Sequence, residues 1–549
     1  MATTACSQQR TSCLLFRGQT GVDLRALIWP DNADIATMLL KIRHALLEVT
    51  NQPPTKQSAV LINNEIIISS GSILIPHLLT SDEDNGEANK DIVARLQQGQ
   101  LVDVQQEEEY GKRLRSLNFV VTFDPQQQRP RPNAASGSRS RQSHILTRFT
   151  AYPLYVFCAP EVLRNLSNIL FAADSGDEGS QLLRSCFVVL GMRPPVQAER
   201  FKRFLAHIGH YLRHLQPVQT LDDVLVMCSP FGLENFYKTI SIGKVSNVMG
   251  RSGCLFAISN ALPLGCEGSA VFNNKLRLIG IVICTSFQRH QENVNLTMAV
   301  NFGYLLRSFM EHLGMPVAQF QFHREPSSFA WERTILVIYT AGQQGTGTFI
   351  RVHNKRFILT CAHVIGKESS TVTCRSADRE FLSEVIWCNP DTDRPFDLAL
   401  LTAPEDVPER CCVRLAKKPA AIGQTVYNAG FPNYVNFSFK HDFSPSIFQG
   451  RIIKCDTGAI MSDGSVQAGQ SGGPMFDESG CILGVCVSNI KMDDHIYPNI
   501  NTAIPICDIR NTLQQFARTN DLQVLNNLVA SQDVQRVWSL EMPPIRSKL

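Results

Sequence analysis

The chain has 549 residues, 44% of them hydrophobic and 18% charged, and a formal net charge of +3. That length is too great for one core and predicts about three or four domains, which four small β-barrels would satisfy, while so small a charge gives no ground for a nucleic-acid or membrane partner. No apolar run is long enough to span a bilayer, and Met1 to Arg17 lacks the uninterrupted apolar core of a signal peptide, so synthesis in the cytosol is expected. The 17 cysteines have no paired spacing, and no CxxC pair comes with a matching His or Cys set. Reduced thiols are therefore expected, with no metal and no cofactor.

From Asp31 to Val49, apolar residues at Ile35, Met38, Leu39, Ile42, Leu46 and Leu47 recur at helical spacing and predict an amphipathic helix packed on its own domain. SAVLINNEIIISSGSILI (58–75) then alternates as strands about an Asn-Asn turn. A polar insertion follows at about 81–144. Its first part, 81–100, is acidic and Gln-rich, and its last, 124–144, is low-complexity with arginines at 129, 131, 139 and 141. A solvated flexible loop is expected there rather than a basic binding patch, and it is the first place to look for self-cleavage.

The second half carries three segments that belong together. FILTCAHVIG (357–366) delivers His363 to a turn after a strand-like apolar run, PFDLALL (395–401) opens another such run with Asp397, and VQAGQSGGPMF (466–476) sets Ser471 among glycines. Each segment alone has a bland reading: a core histidine, a strand-edge carboxylate, a Gly-rich turn. In the order His, Asp, Ser they predict nucleophilic catalysis, with a serine activated by an imidazole that a buried carboxylate orients. Asp391 and Asp393 are weaker candidates for that acid, because Asn389 and Pro390 place them in a polar turn. The sharp bend around Ser471 would aim the Gly469 and Ser471 amides into one small space, where an oxyanion could be held.

TCAH, DLALL and GQSGGP resemble the three signature segments of the trypsin-like serine peptidases, the Deg/HtrA branch most of all, over roughly residues 328–520. The resemblance implies two packed antiparallel β-barrels with His363, Asp397 and Ser471 in the cleft between them. Gln470 stands where secreted members carry an acid that pairs with a new N-terminus, so activation by that route is not expected. Cys361 likewise lacks the partner cysteine of secreted members. In the family pattern Ser465 would floor the specificity pocket and GVCVSN, including Gly484 and Cys486, would form a wall. With no carboxylate at the floor, small or neutral residues are expected before the cut, although Asp463 lies nearby.

The first half repeats the second. A shift of 204 residues (471 less 267) sets Ser471 on Glu267, Gly484 on Gly280 and TAIP (502–505) on MAVN (298–301), and Pro432 falls on Pro230 after a small gap. Ser72 stands where the histidine would be, and Ser185 or Cys186 where the aspartate would be. This unit should be a decayed copy, with Glu267 an exposed carboxylate left in its cleft. Such a copy could position substrates, cover the active half or form a homo-oligomer.

Asp521 to Leu540 reads as a docked helix that Pro543 and Pro544 stop. Ser547, Lys548 and Leu549 spell the peroxisomal import tripeptide, which names the import receptor as a partner and the peroxisome matrix as the location. No PDZ module fits after residue 520, which argues against an ordinary Deg/HtrA chaperone-protease. A decayed and an intact trypsin-like half ahead of SKL resemble the peroxisomal processing peptidases. That resemblance implies limited proteolysis of imported matrix enzymes, removal of N-terminal leaders and self-cleavage. The rival expectations are an inactive binding scaffold and a quality-control protease with holdase activity. The expected architecture is all-β dominated: tandem trypsin-like double β-barrel units, a degenerate one over 1–320 and a catalytic one over 321–520, then a C-terminal helix and tail over 521–549.

Overall fold

Most of the stretches rich in β-branched and aromatic residues form strands in the computed structural model. It describes residues 42–79, 86–125, 146–170, 178–192, 217–250, 252–285, 287–289, 292–294, 296–315, 330–340, 343–366, 370–390, 396–433, 443–492, 495–528 and 532–538, and also 204, 205, 211 and 215. The C-terminal tripeptide Ser547, Lys548 and Leu549, and the alternative acids Asp391 and Asp393, lie outside the described residues.

The strands close into four barrels. The first uses β1 (Ile42–Val49), β2 (Thr55–Ile62), β3 (Ile66–Ser70), β5 (Phe119–Phe123), β6 (Thr147–Cys158) and β7 (Cys186–Gly191), with the short β4 (Val102–Asp103) paired to β6. The second uses β8 (Asp223–Cys228), β9 (Thr239–Met249), β10 (Leu255–Ile258), β11 (Ala270–Asn273), β12 (Leu278–Cys284) and β15 (Thr297–Asn301); β13 (Phe287–Arg289) and β14 (Glu292–Val294) form a separate hairpin. The third uses β16 (Ile335–Thr340), β17 (Gln343–Val352), β18 (Lys355–Thr360), β19 (Thr371–Arg375), β20 (Glu380–Cys388) and β21 (Ala399–Thr402), with β22 (Val413–Arg414) added in parallel to β17. The fourth uses β23 (Thr425–Gly430), β24 (Ser446–Asp456), β25 (Ala459–Ser462), β26 (Pro474–Phe476), β27 (Ile482–Met492) and β28 (His495–Pro505). All four barrels share one neighbour order, in which the first three strands run side by side and the last three return in reverse. Among the described residues, closure leaves no long barrel edge unpaired.

The repeat read from the sequence is present in the backbone. Across one bulge, Val271 faces Gly280 and Phe272 faces Leu278; across its counterpart, Met475 faces Gly484 and Phe476 faces Ile482. The helices that follow begin in step as well, at Phe302–His312 and Ile506–Thr519. One hydrophobic cluster runs through both units and includes Phe187, Phe302, Phe349, Phe431 and Phe476, all buried. Trp331, ahead of the third barrel, stands edge-on to Tyr427 and Phe476 of the fourth and ties those two barrels together.

Three sequence expectations change. Of the helix expected over 31–49, residues 31–41 lie outside the described residues and Ile42–Val49 is a strand; Arg43 through Leu47 are all buried, so both faces are covered and no strand alternation marks it. Within the insertion, Gly86–Gln97 is a helix with Asn89, Ile92 and Leu96 buried, Glu109–Arg115 is a second helix and Phe119–Phe123 is a barrel strand, so most of 86–125 belongs to the body. The C-terminal segment does dock, but as two pieces: a 3-10 turn at Leu522–Leu528 and a helix at Gln532–Trp538, where Trp538 Nε1 donates to the Gly458 carbonyl at 3.0 Å. No helix among the described residues is long and apolar enough to cross a membrane.

Candidate active site

β18 ends at Thr360, and the chain turns at once into the short helix Ala362–Ile365, which carries His363. β21 lies beside β18, with Thr360 opposite Ala399, and this register brings Asp397, just ahead of β21, under that helix. The His363 main-chain N–H donates to Asp397 Oδ1 at 2.8 Å, and the imidazole Nδ1–H bonds Oδ2. Asp397 is 5% exposed, whereas the His363 side chain is 40% exposed. A buried carboxylate thus fixes one tautomer of a part-exposed ring.

The loop of Ser471 rests on this structure. Gly472 has φ 83°, and a β-carbon there would lie 2.2 Å from Thr360 Oγ1, 2.3 Å from the Thr346 carbonyl and 2.9 Å from the Cys361 N. Only glycine lets the loop approach the His363 segment so closely. The Gly472 amide and the Cys361 thiol both donate to the Cys486 carbonyl, at 2.8 and 3.4 Å. Gly469 has φ 93°. Among the described residues, neither its amide nor that of Ser471 donates to a protein acceptor. Two unengaged amides on either side of Gln470 are what an oxyanion site requires. The Ser471 hydroxyl donates to the Val487 carbonyl at 3.0 Å, and among the described residues no hydrogen bond joins it to the imidazole.

Two positions were not read from the sequence as part of this site. Thr346, on β17, donates its amide to the Ser471 carbonyl at 2.9 Å and its hydroxyl to the Gly469 carbonyl at 2.8 Å, so the third barrel clamps the loop. Its signal, TGTF in an apolar strand, carries no mark of that contact. The Val487 carbonyl is the other, and a backbone acceptor leaves no side-chain signature.

Among the expected pocket residues, Ser465 is half-buried and accepts from Gln467 Nε2 at 2.9 Å. Gly484 and Cys486 lie on β27, beside Ser471, but the Cys486 side chain is buried among Ile460, Met475 and Ala503 and faces the barrel interior. Its burial pushes the thiol up to about 12. Cys361, His363 and Asp397 lie close enough together to suggest a metal site. Their chemistry opposes one: Nδ1 is committed to Asp397, and burial, with the nearby Asp397 charge, holds the Cys361 thiol well above the usual range and so disfavours a thiolate ligand.

The decayed unit repeats the scaffold with different chemistry. Ser69 pairs with Val188 as Thr360 pairs with Ala399, which puts Cys186 at the Asp397 position and Ser72 at that of His363. Ser72 Oγ donates to Gln57 Oε1 at 2.9 Å. Glu267 is not the exposed remnant expected: it is half-buried, with Oε2 accepting the Gly265 amide at 2.9 Å and Oε1 accepting the Thr285 hydroxyl at 3.0 Å. Gly265 matches Gly469, so a carboxylate of the chain itself occupies the amide that corresponds to that of Gly469.

Residues 345–485 match the trypsin-like peptidase domain family. The chain is 27% identical over 361 residues, 58% of this chain and 60% of the relative, to the human protein named peroxisomal leader peptide-processing protease. The Mus musculus protein of that name is 26% identical over 355 residues, 58% of this chain and 60% of the relative. A probable periplasmic DegP-like serine endoprotease of Pseudomonas putida (strain W619) is 28% identical over 181 residues, 31% of this chain and 35% of the relative. The match thus spans about three-fifths of the length of the first two relatives.

Proposed function

The chain carries a trypsin-like peptidase domain, and from that premise we propose that it is a serine endopeptidase with Ser471 as nucleophile, His363 as base and Asp397 as orienting acid. The observation that carries this reading is the convergence of a carboxylate-held imidazole and a glycine-bent serine loop with two unengaged amides. For attack, the Ser471 hydroxyl swings from the Val487 carbonyl to His363 Nε2. His363 takes its proton as Oγ bonds the substrate carbonyl carbon, and the Gly469 and Ser471 amides hold the oxyanion. The imidazolium, stabilised by Asp397, returns the proton to the leaving amine; water then releases the acyl group by the same route.

Ser465 floors the pocket, so small or neutral residues precede the cut. Gln470 is 1% exposed and braces the loop through its own amide, with Oε1 taking the Gln467 N–H at 2.7 Å, which supports a site that needs no new N-terminus to form. The names of the human and mouse relatives and the SKL tripeptide support a peroxisomal location, in the matrix, with import through the receptor that reads SKL. The substrates are imported matrix enzymes, cut once or a few times to remove leaders, and the chain also cuts itself. The domains run 1–320, 321–520 and 521–549.

The test is intact-mass analysis of peroxisomal matrix enzymes incubated with wild-type chain or with Ser471→Ala. Discrete leader-sized losses with wild type alone are expected, and identical masses in both would overturn the reading. The Ser471–Val487 hydrogen bond favours a second reading, a peptidase fold kept for binding. A fluorophosphonate probe separates the two, since only a serine served by a working base becomes labelled.

A further inference from the structure

The decayed half meets the catalytic half where β9 lies against β24. Asn247, on β9, is 1% exposed; its Nδ2 donates to the Ser446 hydroxyl at 3.1 Å and to the Ser444 carbonyl at 3.3 Å. Ser446 is fully buried, and its carbonyl accepts from Gln470 Nε2 at 3.3 Å. Gln470 Oε1 accepts the Gln467 amide at 2.7 Å, and the next residue is Ser471. A continuous polar relay therefore runs from the decayed unit to the back of the nucleophile loop, opposite the clamp supplied by Thr346.

The relay is costly to build. Among the described residues, Asn247 Oδ1 and Ser444 Oγ are buried without hydrogen-bond partners. An unpaired buried polar atom is a destabilising loss of hydration, which an apolar residue at 247 would avoid. Its benefit lies in what Nδ2 holds. A loop with glycines at 469, 472 and 473 is soft by itself, and misplacing oxyanion donors by about 1 Å can cost about 100-fold in rate.

We propose that Asn247 is a positioning residue: from the decayed unit, through Ser446 and Gln470, it sets the Gly469 and Ser471 amides for catalysis. This rests on Ser471 being the nucleophile. The decayed unit is then a structural part of the active site rather than a passive appendage.

The experiment compares full-length wild type with Asn247→Ala, Asn247→Asp (same shape, donor lost), Gln470→Ala and the double variant Asn247→Ala/Gln470→Ala. Hydrogen exchange is read at the amides of Gln470, Gly472 and Gly473, with strand 355–360 as reference. Turnover of a peptide substrate is followed as kcat, KM and the kinetic pKa. In Asn247→Ala and Asn247→Asp the loop amides should exchange about tenfold faster with the reference strand unchanged. For the same variants kcat should fall about tenfold, KM should stay within about twofold and the kinetic pKa should not move. The double variant should be no slower than Gln470→Ala alone, as expected for one relay. Unchanged loop exchange, unchanged kcat, or additive losses in the double variant would overturn the proposal. If the 247 variants do not fold, Ser446→Ala probes the same relay from its far side. Exchange needs no turnover, so an inert wild type would defeat the peptidase reading while the loop amides still decide the relay.

Discussion

The two glycine-bent loops, 265–268 and 469–472, share a backbone and differ in what enters it. Their paired glycines have φ values of 84° and 80° in the decayed unit and of 93° and 83° in the catalytic unit. In the first, Glu267 folds back onto the Gly265 amide; in the second, among the described residues, the Gly469 amide is unengaged. Glutamate in place of serine leaves the bend intact, because the glycine conformations and barrel registers that hold it do not depend on that side chain. Fold and reactivity reside in different residues, and so they can be broken separately.

The largest effect should come from the chemistry. His363→Ala or Asp397→Asn should slow fluorophosphonate labelling of Ser471 by about 10⁴-fold while leaving the unfolding midpoint nearly unchanged. The reciprocal change should restore nothing. In a Ser471→Ala background, Glu267→Ser should take up no probe, because Ser72 and the fully buried Cys186 supply neither base nor orienting acid. Labelling at residue 267, found by peptide mass mapping, would mean that a second base operates in the decayed cleft.

The glycines should behave alike in the two units. A β-carbon on Gly472 would meet Thr360 Oγ1 at 2.2 Å and the Thr346 carbonyl at 2.3 Å; one on Gly268 would meet the Ser58 carbonyl at 2.1 Å and Ser69 Oγ at 2.3 Å. Gly472→Ala and Gly268→Ala should each cost about 2–4 kcal/mol in urea unfolding, through positive φ and the clash together. Gly472→Ala should also lose turnover per folded molecule, whereas Gly268→Ala should keep it. A neutral Gly268→Ala would show that the decayed loop no longer needs the shared backbone.

The sequence discloses what glycine and register impose. GCEGSAVF and GQSGGPMF align because their glycines occupy positive φ and their strands keep one bulge, and the 204-residue shift holds into the following helices. His363, Asp397 and Ser471 stand out in the sequence as candidates because each adjoins an apolar strand, after β18, ahead of β21 and ahead of β26. The choice between Ser185 and Cys186 was not, since only the pairing of β3 with β7 settles it in favour of Cys186. Strand 42–49 was hidden because apolar residues on both faces carry no period. Helix 86–97 was hidden because its buried side consists of little more than Ile92 and Leu96 in a polar, Gln-rich segment. Thr346 was hidden because its contact with Gly469 spans 123 residues and is made by a hydroxyl that any strand threonine could carry.

The smallest effect tests whether the decayed unit answers to pH independently of the cleft. His44 on β1 is 1% exposed and its Nε2 bonds Ser229 Oγ at 2.7 Å. Burial first, and then the Lys238 charge, lower its pKa from 6.5 to about 3. With the folded value below the unfolded one, the unfolded chain binds the proton more readily. The contribution of neutral His44 is therefore complete above pH 6.5 and is lost as the pH falls from there toward 3. At pH 5.5 the loss should be about 1.4 kcal/mol, one pH unit below the unfolded value. His44→Gln, which does not titrate, should reduce the fall in unfolding free energy between pH 7 and 5.5 by that amount. If wild type and variant decline in parallel over this range, His44 takes up its proton as readily in the folded chain as in the unfolded one, and the seam between β1 and the second barrel must be more hydrated than its burial indicates.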